Sequence, residues 1–234
     1  MNVLITGASR GIGKAIAEIY AANGHQLFLS SRNGKALAAS AQSITEKYPQ
    51  ATVHFKAYDL SQKEQAIGLA SWLNELNAVP DILVNNAGSF EPGSVYNEPD
   101  GVLERQLSVN LFSAYHLTRA LLPAMIKDAH GRHIFNMCSI ASLKAYNNGG
   151  AYSISKFALY GFSKNLREEM KPHGIKVTAV MPGATLTDSW DGFDNSSNRI
   201  MEAEDIAKLV YGASQLSVQA CVEEIVVRPQ LGDL

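Results

Sequence analysis

The sequence predicts a single α/β domain in which a doubly wound parallel sheet carries helices on both faces. Short β-branched or apolar runs alternate with longer helical patterns from one end of the chain to the other. Several of these runs are apolar on both faces, as expected for strands that helices cover on both sides. The stretch Ile5–Lys14 (ITGASRGIGK) then places a strand end, a glycine turn and a helix start in direct succession.

Seven runs are predicted as strands of one parallel sheet. They are Val3–Thr6, Gln26–Ser31, Thr52–Tyr58, Ile82–Asn85, His133–Cys138, Lys176–Met181 and Glu224–Arg228. Ile12, Ile16 and Ile19 mark one face of the first helix, and Ser61–Glu64 has the form of a capping box that predicts the start of another.

No internal repeat or linker divides the chain, so residues 1–234 are predicted to form one domain. The segment Ala184–Arg199 is rich in Asp, Asn and Ser but also holds Trp190 and Phe193. Loops of this length inside a compact domain are often lids, so residues 184–200 are predicted to close over a substrate.

Composition excludes several classes of protein. The chain has 234 residues, 46% of them hydrophobic, which allows a sizeable core, and its net charge is −2 without any block of Lys or Arg. We therefore expect neither nucleic acid nor an anionic membrane as a partner. No apolar run is long enough to span a bilayer, and no signal-peptide pattern follows Met1, so a cytoplasmic protein is expected. Cys138 and Cys221 lie in apolar runs and are predicted to be buried thiols.

The glycine turn has the order G-x-x-x-G-x-G, formed by Gly7, Gly11 and Gly13. A strand followed by such a turn and a helix start makes an anion site, because backbone N–H groups and the helix dipole point at the ligand. A phosphate-binding P-loop is excluded, since it would need glycine at Ala8 and a hydroxyl at Ala15. On this evidence alone, a merely tight turn stays an open alternative.

Two further features suggest chemistry. Helical spacing places Tyr152 and Lys156 on one face, where an ammonium would lower the phenol pKa from its ordinary value of ~10. Ser139 ends a predicted strand, and the carboxyl ends of such strands are where open α/β sheets bind ligands. Taken singly, these residues are more often explained by a solvated helix face and a turn serine.

Together, these pieces resemble the short-chain dehydrogenase/reductase family over nearly the whole chain. The resemblance implies a Rossmann-like fold and hydride transfer between a nicotinamide cofactor and a carbonyl or alcohol. The matching pieces, in order, are Thr6-Gly7-Ala8-Ser9-Arg10-Gly11-Ile12-Gly13, Asp59-Leu60, Asn85-Asn86-Ala87-Gly88, Asn110, Ser139, Tyr152-x-x-x-Lys156 and Pro182-Gly183-x-x-x-Thr187.

The resemblance implies four catalytic residues and no metal. Tyr152 would be the general acid in ketone reduction and the base in alcohol oxidation. Lys156 would lower the Tyr152 pKa and hold the nicotinamide ribose, and Ser139 would hydrogen-bond the substrate oxygen. Asn110 would bend its helix and position a water that extends the proton relay from Lys156.

The resemblance also implies a cofactor groove. Its glycines would cradle the pyrophosphate, Asp59 with Leu60 would meet the adenine, residues 86–88 would line the adenosine ribose, and residues 182–187 would pack on the nicotinamide. Asn85 is expected to be structural. The implied cofactor residues are Gly7, Ser9, Arg10, Gly11, Ile12, Gly13, Ser31, Arg32, Asp59, Leu60, Asn86, Ala87, Gly88, Tyr152, Lys156, Pro182, Gly183, Thr185 and Thr187.

Charge near the ribose 2′ position predicts NADP(H) rather than NAD(H). The second strand ends Leu29–Arg32 without the carboxylate that would bind a 2′-hydroxyl. Arg10 and Arg32 could grip a 2′-phosphate from two sides, with Ser31 or Ser9 adding a hydroxyl. The alternative is that both arginines are ordinary surface residues.

Three functions are open at this stage. The first is an NADPH-dependent reductase of small or medium ketones. The second, 3-oxoacyl-[acyl-carrier-protein] reductase, is weakened because Ala129 and His173 stand where such enzymes tend to present arginines, although His130 and Arg132 are close. The third is a nucleotide-sensing regulator without turnover, which usually lacks the serine, tyrosine or lysine that this chain keeps.

A homodimer or homotetramer is expected. Leu111–Tyr115 and Phe157–Phe162 are too apolar to face only the core, which favours pairing through the two long helices that flank Ser139. The tail Val227–Leu234 differs from the tails of tetrameric members, so the tetramer is in doubt.

Overall fold

The computed structural model describes residues 1–127, 131–187, 190 and 192–232. Seven strands in these residues form one parallel sheet in the order β3-β2-β1-β4-β5-β6-β7. The strands are β1 (Asn2–Thr6), β2 (Gln26–Ser31), β3 (Val53–Ala57), β4 (Ile82–Asn85), β5 (His133–Met137), β6 (Lys176–Pro182) and β7 (Glu224–Val227). The helices are α1 (Gly11–Ala22), α2 (Gly34–Lys47), α3 (Lys63–Glu75), α4 (Val102–Leu107), α5 (Ser113–Lys127), α6 (Gly150–Met170) and α7 (Ala203–Ser214).

The predicted fold class is confirmed. The predicted strands agree with the observed ones to within one residue at either end, and helices cover both faces. Alternation along β1 shows why, since Val3 and Ile5 pack with α1, α2 and α7 while Leu4 packs with α3, α5 and α6. Strands buried on both sides carry apolar residues at every position, which is the pattern that predicted the sheet.

The strand order reverses between β1 and β4, which opens a crevice at their carboxyl ends. Asn85, at the end of β4, is buried and donates to Asn136 Oδ1 of β5 at 2.8 Å and to Thr118 Oγ1 of α5 at 3.0 Å. The predicted structural role of Asn85 is therefore confirmed, because its amide fastens two strands and a helix below the crevice.

Two local predictions are wrong in part. The helix predicted at Ser61–Glu64 is present as α3, but it begins at Lys63, and Gln62 precedes it without a side-chain cap, so no capping box forms at Ser61. Ser61 Oγ instead donates to Asp59 Oδ1 at 2.7 Å, so a turn in the preceding loop uses the hydroxyl.

Cys138 is buried as predicted, but Cys221 is partly exposed beside the β6–β7 edge. Both thiols are free. Among the described helices, none is long and apolar enough to cross a membrane.

Candidate active site

A groove of about 1320 Å³ runs across the carboxyl ends of the strands. It passes from the end of β2, over the β1–β4 crevice, to the start of α6. Of the residues predicted for cofactor binding and catalysis, all but Gly13 and Asn110 line it. The topology thus brings predicted site residues that are far apart in the sequence, from Gly7 to Thr187, onto one continuous surface.

The glycine turn lies at the middle of this groove. Gly7 and Gly11 have positive φ angles of 65° and 53°, which disfavour any residue with a Cβ. Arg10 precedes α1 without a side-chain cap, and no acidic residue lies in the first turn of that helix. The N–H groups at the start of α1 therefore face the groove as an anion site.

Gly13 has a different part from the one predicted, since it lies behind the groove wall. A Cβ on Gly13 would come within 2.3 Å of the Gly7 carbonyl oxygen and 2.4 Å of Asn86 Nδ2. Gly13 thus lets α1 pack against the end of β1.

Thr6, for which the sequence predicts no separate role, joins the turn to β4. Its hydroxyl accepts hydrogen bonds from the backbone N–H groups of Asn86 and Ala87, both at 2.9 Å. Asn86 Nδ2 in turn donates to the carbonyl oxygens of Thr6 and Gly7 at 3.0 and 3.2 Å. These bonds hold the turn after β1 at a fixed distance from the segment after β4, which are the two walls of the crevice.

The end of β2 forms one pole of the groove. Ser9 and Ser31 share a hydrogen bond between their hydroxyls at 3.0 Å, while Arg10 and Arg32 line the groove beside them. Asn33, which was not predicted, also lines this pole and caps α2 by accepting from Ala36 N–H at 3.0 Å. The start of α2 adds its dipole to the two guanidinium groups, so this pole favours an anion.

Asp59 and Leu60 form the wall next to this pole. The Asp59 carboxylate accepts from the N–H and the hydroxyl of Ser61 through one oxygen, which fixes its orientation on the groove wall. Leu60 is buried beneath it in the core. The adenine contact that the resemblance implies for these two residues stays a prediction.

The opposite pole holds three predicted catalytic side chains. Ser139 lies two residues beyond the end of β5 and caps a short 3₁₀ turn by accepting from Ala141 N–H at 3.1 Å. Tyr152 stands in the first turn of α6, and its phenol interacts with the Ser139 hydroxyl. Lys156 lies one turn further, buried, with Nζ donating to the Met137 carbonyl oxygen at 2.8 Å.

The predicted lowering of the phenol pKa is not what this arrangement gives. Burial raises the pKa of Tyr152, and the hydrogen bond with Ser139 opposes that rise only in part. Burial also lowers the pKa of Lys156 to about 8. The ammonium stands 5.8 Å from the centre of the Tyr152 ring and bonds to Met137, so desolvation outweighs its attraction for a phenolate.

Asn110 lies below this pole rather than in the groove wall. The predicted distortion of its helix is confirmed, because residues Ser108–Phe112 form a π-helical turn between α4 and α5. A Cβ built on Gly88 would lie 3.1 Å from Asn110 Oδ1 and 3.6 Å from Lys156 Nζ. The absence of a side chain at Gly88 thus leaves a gap that both polar atoms border. The relay water predicted there stays a prediction.

Aromatic and charged residues that sequence reasoning missed line the outer part of this pole. The Phe90 ring packs edge-on against the Tyr152 ring, with centroids 4.8 Å apart. Glu91 pairs with Arg105 at 3.1 Å, and this ion pair holds the pKa of the Glu91 carboxyl below its usual range. Phe90 and Glu91 lie two and three residues after the matched Asn85–Gly88 motif, and that proximity was the available signal.

The predicted lid begins directly after β6, at groove-lining residues Gly183 and Ala184. Thr185 is buried, and backbone bonds from Leu186 N–H to Met201 O (2.7 Å) and from Met201 N–H to Ala184 O (3.1 Å) tie both ends of the segment together. Trp190 lines the groove and contacts the Phe193 ring at 5.2 Å between centroids. Within this segment, Asp188, Ser189 and Asp191 lie outside the described residues.

A family model described as short chain dehydrogenase matches residues 1–197. The chain belongs to this family. It is an oxidoreductase, and most residues of the motifs that predicted the family line the groove. Among the described residues of this dehydrogenase, no group of three His, Cys, Asp or Glu side chains could hold a metal ion.

Relatives of this dehydrogenase share its full length. It is 32% identical to a sepiapterin reductase of Chlorobaculum tepidum, over 99% of this chain and 97% of that protein. It is 31% identical to a metagenomic short-chain oxidoreductase solved in complex with NADP, with a TM-score of 0.84 over 98% of this chain and 97% of that one. L-sorbose reductase from Gluconobacter frateurii, solved with NADPH and L-sorbose, is 26% identical, with a TM-score of 0.88 over 97% and 94% of the two chains.

Proposed function

We propose that this dehydrogenase is an NADPH-dependent carbonyl reductase that interconverts a ketone and an alcohol of small or medium size. One observation supports it above all: a Ser139–Tyr152 hydroxyl pair and a buried lysine lie at one pole of a groove whose other pole carries two arginines. A screen of ketones and acyl thioesters with NADPH, followed by absorbance, tests the proposal. Absence of turnover with every carbonyl class would contradict it.

The groove fits NADP(H). The uncapped start of α1 and the positive-φ glycines suit a pyrophosphate, and the Ser9–Ser31 pair with Arg10 and Arg32 suits a 2′-phosphate. Pro182, Gly183, Thr185 and Thr187 also line the groove, where they would hold the nicotinamide. Thr187 lies beside the glycine turn, because a Cβ on Gly11 would come within 3.2 Å of its side chain. The related structures with bound NADP or NADPH agree with this assignment. When bound, the cofactor supplies the hydride.

The protein's part in reduction is to hold the substrate oxygen and to give it a proton. The Ser139 hydroxyl would donate a hydrogen bond to the carbonyl oxygen, where negative charge develops. Tyr152, whose raised pKa keeps it protonated, would deliver the proton to that oxygen. Lys156 beside it would stabilise the phenolate left behind and would hold ribose hydroxyls. Asn110 would extend the proton path through the gap at Gly88.

The carrier-protein alternative has less support. Arg132 is buried and donates to the Pro80 carbonyl oxygen at 2.8 Å, so it is not placed to grip an acidic partner. His173 is exposed on a short turn after α6, while Ala129 and His130 lie outside the described residues. A regulatory protein without turnover is also less favoured, because Ser139, Tyr152 and Lys156 converge in one site.

We also propose that the chain pairs through its α5–α6 face. Phe112 is 43% exposed and Phe157 is 44% exposed, although their neighbours Leu111 and Phe162 pack on the core. Large exposed rings at the π-helical turn before α5 and on α6 favour a homodimer. A homotetramer would need a second surface.

Replacing Arg32 by alanine should reduce the preference for NADPH over NADH by weakening NADPH binding. A charge-assisted bond to phosphate contributes roughly 1.5–3 kcal/mol, or one to two decades in affinity. Dissociation constants for both cofactors, measured by fluorescence titration, check this. Lys35→Ala, a neighbouring cation absent from the groove lining, serves as the control. If Arg32→Ala and Arg10→Ala both leave the NADPH/NADH ratio unchanged, the 2′-phosphate assignment is wrong.

Replacing Trp190 by alanine should raise the KM for the best carbonyl substrate with little change in melting temperature. Trp190 lines the groove, so its loss should remove substrate contact, whereas Phe193 supports it from behind. Phe193→Ala should therefore lower the melting temperature more than Trp190→Ala does. Steady-state kinetics and thermal melting on both variants check this. A lower melting temperature with unchanged KM for Trp190→Ala would show a loop pinned to the core instead of a lid.

A further inference from the structure

A fully buried amide, Gln106 in α4, lies between the outer mouth of the groove and Asn110. Gln106 Nε2 donates to Ser89 Oγ at 3.1 Å and to Glu91 Oε1 at 3.2 Å. Gln106 Oε1 accepts from Asn110 Nδ2 at 2.9 Å. A buried amide is costly unless its donors and acceptor are paired, and these three bonds pair them.

These bonds determine which way the Asn110 amide points. Three oxygens of the described chain lie within 3.0 Å of Asn110 Nδ2, on Ser89, Gln106 and Ser155. Asn110 Oδ1 accepts from Ser89 N–H at 2.8 Å. Turning the amide over would set Oδ1 against the Gln106 oxygen and the Ser89 carbonyl. Asn110 Oδ1 is therefore held toward the gap at Gly88, which Lys156 Nζ also borders.

The outer end of the same chain of bonds is the Glu91–Arg105 ion pair. Glu91 presents one carboxylate oxygen to Gln106 and the other to Arg105, at 3.2 and 3.1 Å. Both members of the pair line the groove, and Phe90, next to Glu91, packs on Tyr152. Because Glu91 and Ser89 accept both Gln106 N–H groups, the Gln106 oxygen is left to face Asn110.

We infer that Gln106 is a positioning residue through which the Glu91–Arg105 pair at the substrate mouth orients Asn110. The inference rests on the proposed function, since it assigns to Asn110 a part in proton transfer. The ion pair that lines the outer groove and the Asn110 amide below Lys156 then form one connected hydrogen-bond network. Loss of the Glu91–Arg105 pair should therefore lower turnover through Asn110 while NADPH affinity stays unchanged.

A double-mutant cycle of Gln106→Met and Asn110→Ala tests this inference. Methionine keeps most of the glutamine volume and removes its hydrogen bonds. Gln106→Met should lower kcat roughly 10- to 100-fold, as misplacement of catalytic geometry does, with NADPH affinity unchanged. In the Asn110→Ala background, the same substitution should have little further effect on kcat. An equal loss of kcat in both backgrounds would overturn the inference.

Thr178→Val provides the matched control. Thr178 is fully buried, bonds to His133 and to the Val222 carbonyl oxygen, and does not line the groove. It should lower the melting temperature and leave kcat unchanged. If Gln106→Met behaves in the same way, its role is structural only and the inference fails.

Two further measurements keep the test decisive. If Gln106→Met fails to fold, Glu91→Ala serves instead, because it removes one hydrogen-bond acceptor of Gln106 at a partly exposed position. The effect of Glu91→Ala on kcat should likewise vanish in the Asn110→Ala background. The melting losses of Gln106→Met and Asn110→Ala should also be less than additive, and additive losses count against the network. Melting needs no substrate, so it tests the network even if the wild type turns over no carbonyl, a result that would contradict only the proposed function.

Discussion

Replacing Tyr152 by phenylalanine is expected to lower turnover by roughly 10²–10⁴-fold, the usual consequence of losing a general acid. The phenol interacts with the Ser139 hydroxyl at the catalytic pole, and burial raises its pKa so that it is protonated and ready to donate. NADPH affinity should change little, because the arginines and the glycine turn lie elsewhere in the groove. Steady-state turnover with the best ketone and a fluorescence titration with NADPH check both parts.

Tyr160→Phe is the matched control for this experiment. Tyr160 lies in the same helix, α6, and its hydroxyl donates to Glu224 outside the groove. It should lose none of the activity that Tyr152→Phe loses. Near-normal turnover by Tyr152→Phe would remove Tyr152 from the mechanism and leave Ser139 and Lys156 without the proton donor that the proposal requires.

The sequence predicted the fold well because each strand is defined by local alternation or by burial on both faces. Val3, Leu4 and Ile5 show this, since consecutive residues of β1 face opposite layers of helices. Prediction from local sequence failed where two hydrogen-bond partners compete for the same side-chain hydroxyl. Ser61 could cap α3, but the Asp59 carboxylate two residues earlier takes its hydroxyl.

The candidate site was predictable where a motif is contiguous and unpredictable where it depends on contacts across the fold. Tyr152 and Lys156 are four residues apart in one helix, so helical spacing sufficed. Gln106 had no such signal, because its partners Ser89 and Glu91 come from a loop that only the folded chain brings to α4. The prediction that the Tyr152 pKa would be lowered failed for a related reason. The burial that raises this pKa is a property of the assembled groove and cannot be read from the sequence.

Replacing Gly13 by alanine is expected to have the largest effect on the cofactor groove, although Gly13 does not line it. A Cβ would stand 2.3 Å from the Gly7 carbonyl oxygen and 2.4 Å from Asn86 Nδ2. Neither atom can retreat cheaply, since Gly7 is held at positive φ and Asn86 bonds to the backbone of Thr6 and Gly7. The start of α1 must then move away from β1.

The displacement should reduce stability and NADPH binding together. Overpacking against backbone costs about 3 kcal/mol or more, which corresponds to a melting temperature lower by roughly 6–12 °C in a domain of this size. NADPH affinity should fall by at least the ~100-fold that a misplaced set of phosphate-binding N–H groups implies, at about 1.4 kcal/mol per decade. Thermal melting with and without NADPH measures both losses.

Gly212→Ala separates this effect from the general consequence of placing alanine in a helix. Gly212 lies in α7, where a Cβ would meet nothing within 4 Å, so alanine there should stabilise the protein by about 1 kcal/mol through helix propensity. The two substitutions are chemically identical and should act in opposite directions. If Gly13→Ala instead melts at or above the wild-type temperature and still binds NADPH tightly, then α1 does not depend on this contact. The phosphate-binding turn would then owe its shape to Gly7 and Gly11 alone.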